Sequence, residues 1–305
     1  MPFPGFPSRS CRVLPGILFL FCCALAGAAD SSAGPRIISL YAAHTEVLLR
    51  LGARDNLIGV SRQETYAGPE TLGWQAPAYS VRDDIEKFLA AAPDLILVRQ
   101  QHIASARHWK EAMEKAGVRV IPLQVTSASG LYEYWLTLAR LVGKQQQAEE
   151  MIAAFDSRVE EIKSAAAHLS FHPNVFIESM HREIKTFTPD SIPVWLVETA
   201  GGRNIAADAE PASPGVVIAD YGPERLLGKA RDIDIFISQH GAMNRVDFSI
   251  VKSRDLYQTI KAFRMGNVYT IDEAVLSRPT PGLLDGLEQV ATWLRNAAER
   301  DDPEK

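Results

Sequence analysis

From Lys144 to His172 the chain contains neither glycine nor proline. Within that run Ala148, Met151, Ile152, Phe155, Val159 and Ile162 recur close to the helical period, giving one apolar stripe on a charged segment. About 24 helical residues at 1.5 Å rise would span roughly 36 Å. Such a helix is long for the inside of a compact domain and suits a rigid strut between two lobes. On both sides of it short apolar runs alternate with helical patterns, which implies parallel or mostly parallel sheets. The expected fold class is α/β, with two lobes joined by one long α-helix. The expected divisions are residues 36–143 for the first lobe, 144–170 for the linking helix and 171–300 for the second lobe.

In the first half, Arg36 to Leu40 and Leu57 to Val60 read as short strands, with a helix over His44 to Leu51 that stops at Gly52. Asp84 to Ala92 is a helix stopped by Pro93. Leu95-Ile96-Leu97-Val98 is the continuous apolar run of a strand covered on both faces. One helix is expected from Ala104 to Ala116, then a strand over Val118 to Ile121. In the second half strands are expected at Val175 to Glu178, Ile233 to Ile237 and Val268 to Ile271. Helices are expected at Val194 to Ala200, after Pro223, at Val251 to Ile260 and from Leu283 to Ala298. The stretch from Ala207 to Pro214 reads as a surface loop.

The first residues follow a different logic. Arg9 and Arg12 precede the apolar run Ile17 to Leu25, which exits through Ala26-Gly27-Ala28-Ala29-Asp30, the pattern of a secretory signal. The run is too short to span a membrane. A signal peptide over residues 1–28 is expected, and with it a periplasmic or otherwise extracytoplasmic protein. Its removal takes away two arginines and no acid, so the net charge of −5 becomes −7. All three cysteines, Cys11, Cys22 and Cys23, lie in that segment, leaving no thiol for a disulfide, nucleophile or metal site. Lipid attachment at Cys22 or Cys23 is the alternative, disfavoured because Phe21 and Cys22, not small residues, precede them.

At 47% hydrophobic and 23% charged residues the composition is that of a globular chain, and no basic tract suggests nucleic acid as a partner. The sequence has no G-x-S-x-G, H-E-x-x-H or G-x-G-x-x-G pattern. Gly222 to Lys229 resembles a phosphate loop but has five residues between its glycines where four are needed, and Pro223 reads better as a helix start. His168 and His172 have metal-ligand spacing, yet Pro173 beside them points to a frayed helix end.

Several segments, in order, resemble a known family. They are Ile37-Ile38-Ser39-Leu40 with Thr45-Glu46-Val47-Leu48 and Leu51-Gly52, then Leu57-Ile58-Gly59-Val60-Ser61, Pro93-Asp94-Leu95-Ile96-Leu97 and Gly117-Val118-Arg119-Val120. Gly266-Asn267-Val268-Tyr269 and Arg278-Pro279 follow near the end. Together they resemble the periplasmic substrate-binding proteins of ABC importers for iron-siderophores, haem and cobalamin, of the two-lobed class with a helical backbone. The resemblance implies two Rossmann-like α/β lobes, a ligand cleft between them and little closure about the stiff strut. Tyr41-Ala42-Ala43-His44 departs from the small Ser/Pro residues of many members.

In open α/β sheets ligands approach the loops at the carboxyl ends of the strands. Those loops carry Tyr41, Arg62, Tyr66, Arg99 and His102 in the first half, and His181, Arg182, His240, Arg245 and Arg278 in the second. Arginine pairs bidentately with carboxylates and aromatic faces stack on flat chelates, so this set suits an anionic metal chelate. The plainer reading is that several are solvated or capping side chains, and that His102, His181 and His240 are hydrogen-bonded loop histidines, not axial metal ligands. Trp74 and Tyr79 either overhang the cleft or pack the lobe. Glu86 and Glu224 match the family's exposed glutamates, one per lobe, which the resemblance implies dock onto the permease. Locally, Asp83 with Glu86 also reads as a capping box and Glu224 as a first-turn carboxylate.

The expected function is that of the solute-binding component of an ABC importer, without catalysis or an intrinsic cofactor. An iron-siderophore stands first as ligand, with a corrinoid or haem as alternatives in the same role. Bare metal ions fit less well because the seven histidines are spread without a cluster; an exported enzyme on the same scaffold is the remaining reading. The expected partners are a permease dimer in the inner membrane with its cytoplasmic ATPase and a small-molecule chelate. The protein is expected to be a monomer.

Overall fold

The apolar runs Ile37-Ile38 and Leu95 to Val98 lie side by side at the centre of a parallel sheet, each at 1% exposure or less. That is the burial a strand with helices on both faces requires. The structure, a computed structural model, describes residues 34–300 other than Ala67, Pro214 and Met243, with the side chain of Ala104 also outside it. The expected signal segment and its three cysteines lie outside the described residues.

The first lobe runs β1 (Ile37–Ser39), α1 (Ala42–Arg50), β2 (Leu57–Ser61), β3 (Ala78–Tyr79), α2 (Ile85–Ala90), β4 (Leu95–Val98), α3 (Gln100–Ser105), α4 (Arg107–Lys115), β5 (Arg119–Pro122) and α5 (Leu131–Val142). Its strands are parallel in the order β3-β2-β1-β4-β5. The order reverses between β1 and β4, and a reversal of this kind opens a crevice at the carboxyl ends of the two strands.

Gly143, at φ +67, ends α5 in the left-handed conformation that glycine adopts without strain and turns the chain into α6 (Gln145–Ala166). At 22 residues α6 is about 33 Å long. It is a strut that is also core. Phe155, Val159 and Ile162 share one hydrophobic cluster with Trp135 and Leu138 of the first lobe and with Val197 and Leu294 of the second. Trp135 meets Phe155 edge to face at 5.0 Å.

The second lobe runs β6 (Asn174–Glu178), β7 (Lys185–Phe187), α7 (Ile192–Thr199), β8 (Arg203–Asn204), β9 (Ile218–Asp220), α8 (Gly222–Gly228), β10 (Ile235–His240), α9 (Phe248–Lys252), α10 (Lys261–Met265), β11 (Val268–Asp272), α11 (Glu273–Leu276) and α12 (Leu283–Arg300). Its main sheet is parallel in the order β11-β10-β6-β8, with the reversal between β6 and β10. β7 and β9 form a separate antiparallel pair.

Three local expectations are corrected, and one is met. The single helix from Ala104 to Ala116 is broken at Ala106, whose φ −128 and ψ 33 separate α3 from α4; Ser105 Oγ donates to the His102 carbonyl there. The helix expected over Val251 to Ile260 ends at Lys252, and Asp255–Thr259 is a 3-10 turn. Between them Arg254 is extended (φ −76, ψ 109), its side chain drawn to Glu178. As expected of a helix end, His168 and His172 lie past the end of α6, where His172 Nδ1 donates to the Gly201 carbonyl at 2.8 Å. Asp83 and Glu86 form no capping box: the N-cap of α2 is Asp84, and Asp83 accepts from Ser80 N at 3.2 Å and Lys87 Nζ at 2.7 Å.

Candidate functional site

At the first lobe's strand reversal, Tyr41 is the N-cap residue of α1 and Arg99 that of α3. The two elements leave neighbouring strands, which brings the Arg99 guanidinium over the Tyr41 ring at 4.6 Å. Burial pushes the Tyr41 phenol up, against the pull of Arg99 and of Arg278 from the other lobe. One turn into α1, the His44 ring stands edge-on to Tyr41 at 5.2 Å, and its Nε2–H donates to the Leu123 carbonyl at 3.2 Å. His44 is fully buried, and burial pushes its pKa down to about 3 despite that hydrogen bond. The neutral ring therefore keeps its proton on Nε2, and Nδ1 is a buried acceptor with no hydrogen-bond partner. Burial, and then Arg99, also lower the pKa of His102.

The lobes meet around the segment from Arg278 to Gly282. Arg278, 7% exposed, donates from Nη2 to Thr65 Oγ1 at 2.8 Å. Pro279 accepts from Trp135 Nε1 at 3.0 Å. Glu46 accepts from Arg50 Nε at 3.0 Å, and burial raises its carboxyl pKa against the opposing effects of Arg50 and a hydrogen bond from Thr280. A Cβ at Gly282 would stand 3.2 Å from Glu46 Oε1, so a larger residue there would crowd the contact.

At the second lobe's reversal, the loop after β6 and the loop after β10 border an open cavity of about 410 Å³, lined chiefly by His181, Arg182, Glu183, Asn244 and Arg245. His181 donates to Asn244 Oδ1 from its backbone N at 3.2 Å and from Nδ1 at 2.9 Å. Asn244 Nδ2 donates in turn to the Gln239 carbonyl at 2.5 Å. Another cavity, of about 320 Å³, lies between α6 and α12 against Ile162, Leu169 and Arg295, away from the carboxyl ends of the strands.

The expected residues therefore fall into three groups. Tyr41, Arg99 and Arg278 come together where the lobes meet, with His102 close to Arg99. His181, Arg182 and Arg245 share the second-lobe cavity. The rest are engaged elsewhere. Arg62 pairs with Asp83, and the Tyr66 hydroxyl donates to Glu70 Oε2 at 2.5 Å with Arg50 over its ring. His240 closes β10 opposite Asp272, outside the cavity lining. Tyr79 packs the lobe, 5% exposed and 5.1 Å from Phe88, and Trp74 packs against the core.

Glu86 and Glu224 are both exposed, each in the first turn of its helix. Among the described residues no group of three or more His, Cys, Asp or Glu side chains could hold a metal ion, and no helix is long and apolar enough to cross a membrane.

Several residues of these contacts carry no obvious mark in the sequence, namely Glu46, Thr65, Trp135 and Thr280 between the lobes; nor do Arg254 and Tyr257, which both donate to the buried Glu178 at the end of β6. The available signal was Glu46 itself, a carboxylate in a helix whose neighbours Ala42, Ala43, Val47 and Leu48 are all buried.

A family model described as periplasmic binding protein matches residues 37–275. An uncharacterized ABC transporter substrate-binding lipoprotein of Bacillus subtilis is 24% identical over 260 residues, 84% of this chain and 78% of that protein. A vitamin B12-binding protein of Vibrio cholerae is 27% identical over 266 residues, 87% of this chain and 91% of its own length. The periplasmic heme-binding protein RhuT of Roseiflexus sp. RS-1 superposes with a TM-score of 0.70 at 19% identity, over 87% of this chain and 99% of that one. Two parallel sheets packed with helices on a shared long helix, with a match that begins at the first strand and extends into α11, have one reading: the chain belongs to the periplasmic binding protein family.

Proposed function

We propose that this chain is the extracytoplasmic substrate-binding component of an ABC importer and that it captures a metal chelate between its lobes, a corrinoid ahead of an iron-siderophore. The carrying observation is that each lobe presents its expected ligand residues at its own strand reversal, Tyr41 and Arg99 in one and His181, Arg182 and Arg245 in the other. Ligands of open α/β sheets sit at such points. The charge available to an anion is smaller than the count of arginines suggests, because Arg62 is paired with Asp83 and Arg278 is buried on Thr65 close to Glu46. A large chelate of little net charge, lying on Tyr41, suits what is left, and the vitamin B12-binding relative agrees with that choice.

The siderophore reading rests on a separate observation. Arg182 and Arg245 line the second-lobe cavity, and among the described residues neither forms an ion pair. Delivery would use Glu86 and Glu224 as contacts to the permease, one from each lobe.

Titration of the purified protein with cyanocobalamin, haem and a ferric siderophore, at low and high salt, tests the assignment. Cyanocobalamin should bind with little salt dependence, and Tyr41→Ala should weaken it more than Arg182→Ala does. Strongly salt-dependent binding of the ferric siderophore alone, lost in Arg182→Ala or Arg245→Ala, would transfer the assignment to the anionic chelate.

A further inference from the structure

The loop that carries His181 and Arg182 is held in an unusual way. It runs from the end of β6 to the start of β7, and its base is closed by Ser179 N donating to the Lys185 carbonyl at 2.8 Å and Lys185 N to the Met180 carbonyl at 3.0 Å. Its last residue, Ile184, has φ +52. For a β-branched residue the left-handed region is a genuine outlier, which persists only where the surroundings over-determine it. Here they do. The Ile184 side chain is 8% exposed within the second-lobe core that includes Phe176, Tyr221 and Phe236, and its carbonyl accepts from Gly222 N at 3.1 Å.

The other side of the loop is tied to a buried charge. Glu178, the last residue of β6, is fully buried. Its Oε2 accepts from Ser238 Oγ at 2.8 Å, and its Oε1 from Tyr257 Oη at 2.6 Å and from Arg254 Nη1 at 3.4 Å. Arg254 also donates from Nη1 to Tyr257 Oη and from Nη2 to the carbonyl of His181. One guanidinium thus bridges a buried carboxylate at the strand end to the backbone of the residue that opens the cavity. Its fork geometry does both at once, which a lysine ammonium on a single stem cannot reproduce.

We infer that Arg254, anchored on Glu178 and Tyr257, is a positioning residue that holds the His181–Arg182 loop, together with the left-handed Ile184, in its binding geometry before any ligand arrives. The inference rests on the reading of the His181, Arg182 and Arg245 cavity as part of the ligand site. Arg254 itself is not needed to touch ligand. Its effect is on the fraction of molecules whose loop is already competent, and apparent affinity scales with that fraction. Loss of the bridge should therefore slow association, while loss of a contacting side chain should speed dissociation.

The test uses the full chain without ligand and with cyanocobalamin. Hydrogen exchange of the Ser179 and Lys185 amides reports the loop directly, and stopped-flow binding separates the two rates. Arg254→Met should raise exchange at both amides at least tenfold in the free protein, slow association several-fold and leave dissociation nearly unchanged. Saturating ligand should restore protection. Arg254→Lys should fall between Met and wild type, and Arg182→Ala should speed dissociation with wild-type exchange. Tyr257→Phe removes only the hydroxyl of the anchor and provides a milder variant should Arg254→Met fail to fold; it too should raise exchange at these amides. Wild-type protection at both amides in Arg254→Met, or in Tyr257→Phe where only that variant folds, overturns the inference. If the wild-type protein does not bind cyanocobalamin, the corrinoid reading fails by itself, and the exchange comparison still decides the role of Arg254.

Discussion

The indole Nε1 of Trp135, in the first lobe, donates to the carbonyl of Pro279, in the second, at 3.0 Å, and both residues are buried. Beside this bond stand two more contacts between the lobes, Arg278 on Thr65 and Thr280 near Glu46. The segment from Arg278 to Gly282 is thereby gripped from three sides. The strut and this grip together fix the angle at which Tyr41 and Arg99 face the second lobe. Trp135→Phe keeps most of the ring volume but leaves the Pro279 carbonyl without its donor, which should cost about 1–3 kcal/mol. Urea unfolding at neutral pH, compared with wild type, measures it.

His44 makes the protein sensitive to mild acid. Its pKa is about 3 in the folded state against about 6.5 unfolded, so the unfolded chain binds the proton first as pH falls. Stability attributable to this group is fully present above about pH 6.5 and is lost progressively between there and pH 3. Between pH 7 and pH 5 the loss should be about 2 kcal/mol. His44→Gln, which can still donate to the Leu123 carbonyl, should lack that part of the pH dependence in urea unfolding measured at both pH values. An unchanged pH dependence in the variant would show that another group carries it.

The strut is tested by a single proline. Phe155 lies in the interior of α6 and is 2% exposed. Phe155→Pro removes a helical hydrogen bond, clashes with the preceding turn and empties a core position, and should cost at least about 3 kcal/mol. A melting temperature equal to that of wild type would mean that α6 is not shared core for the two lobes.

Glu86→Ala together with Glu224→Ala should leave ligand affinity unchanged and lower uptake in cells that carry the cognate permease. Both side chains are exposed and neither lines the second-lobe cavity. Loss of binding by the purified double variant would place these acids at the ligand instead.

Much of the architecture is legible because periodicity reports burial. The run without glycine or proline reads as the strut, and Leu95 to Val98 reads as a doubly covered strand because every residue in it is apolar. Elements that depend on partners distant in sequence are less legible. α5 owes its burial to Trp135 and Leu138 packing into the shared core, and β7 pairs with β9 across an intervening helix and strand. The break after Lys252 follows from the recruitment of Arg254 by a carboxylate 76 residues away, which no local pattern encodes. The site divides in the same way. The rule that ligands meet strand ends puts Tyr41, Arg99, His181 and Arg182 at the strand reversals, since it depends only on chain order. It cannot tell that Arg62 is taken up by Asp83 or that Tyr66 is engaged by Glu70, because those choices are made by side chains that the sheet brings near.

The most direct test is native mass spectrometry of the protein isolated from its own cells under non-denaturing conditions. One molecule of a cobalt corrinoid is expected bound per chain, absent from Tyr41→Ala isolated in the same way. A chain that carries no metal chelate, and that binds neither cyanocobalamin, haem nor a ferric siderophore when these are added to the purified protein, would overturn the proposed function.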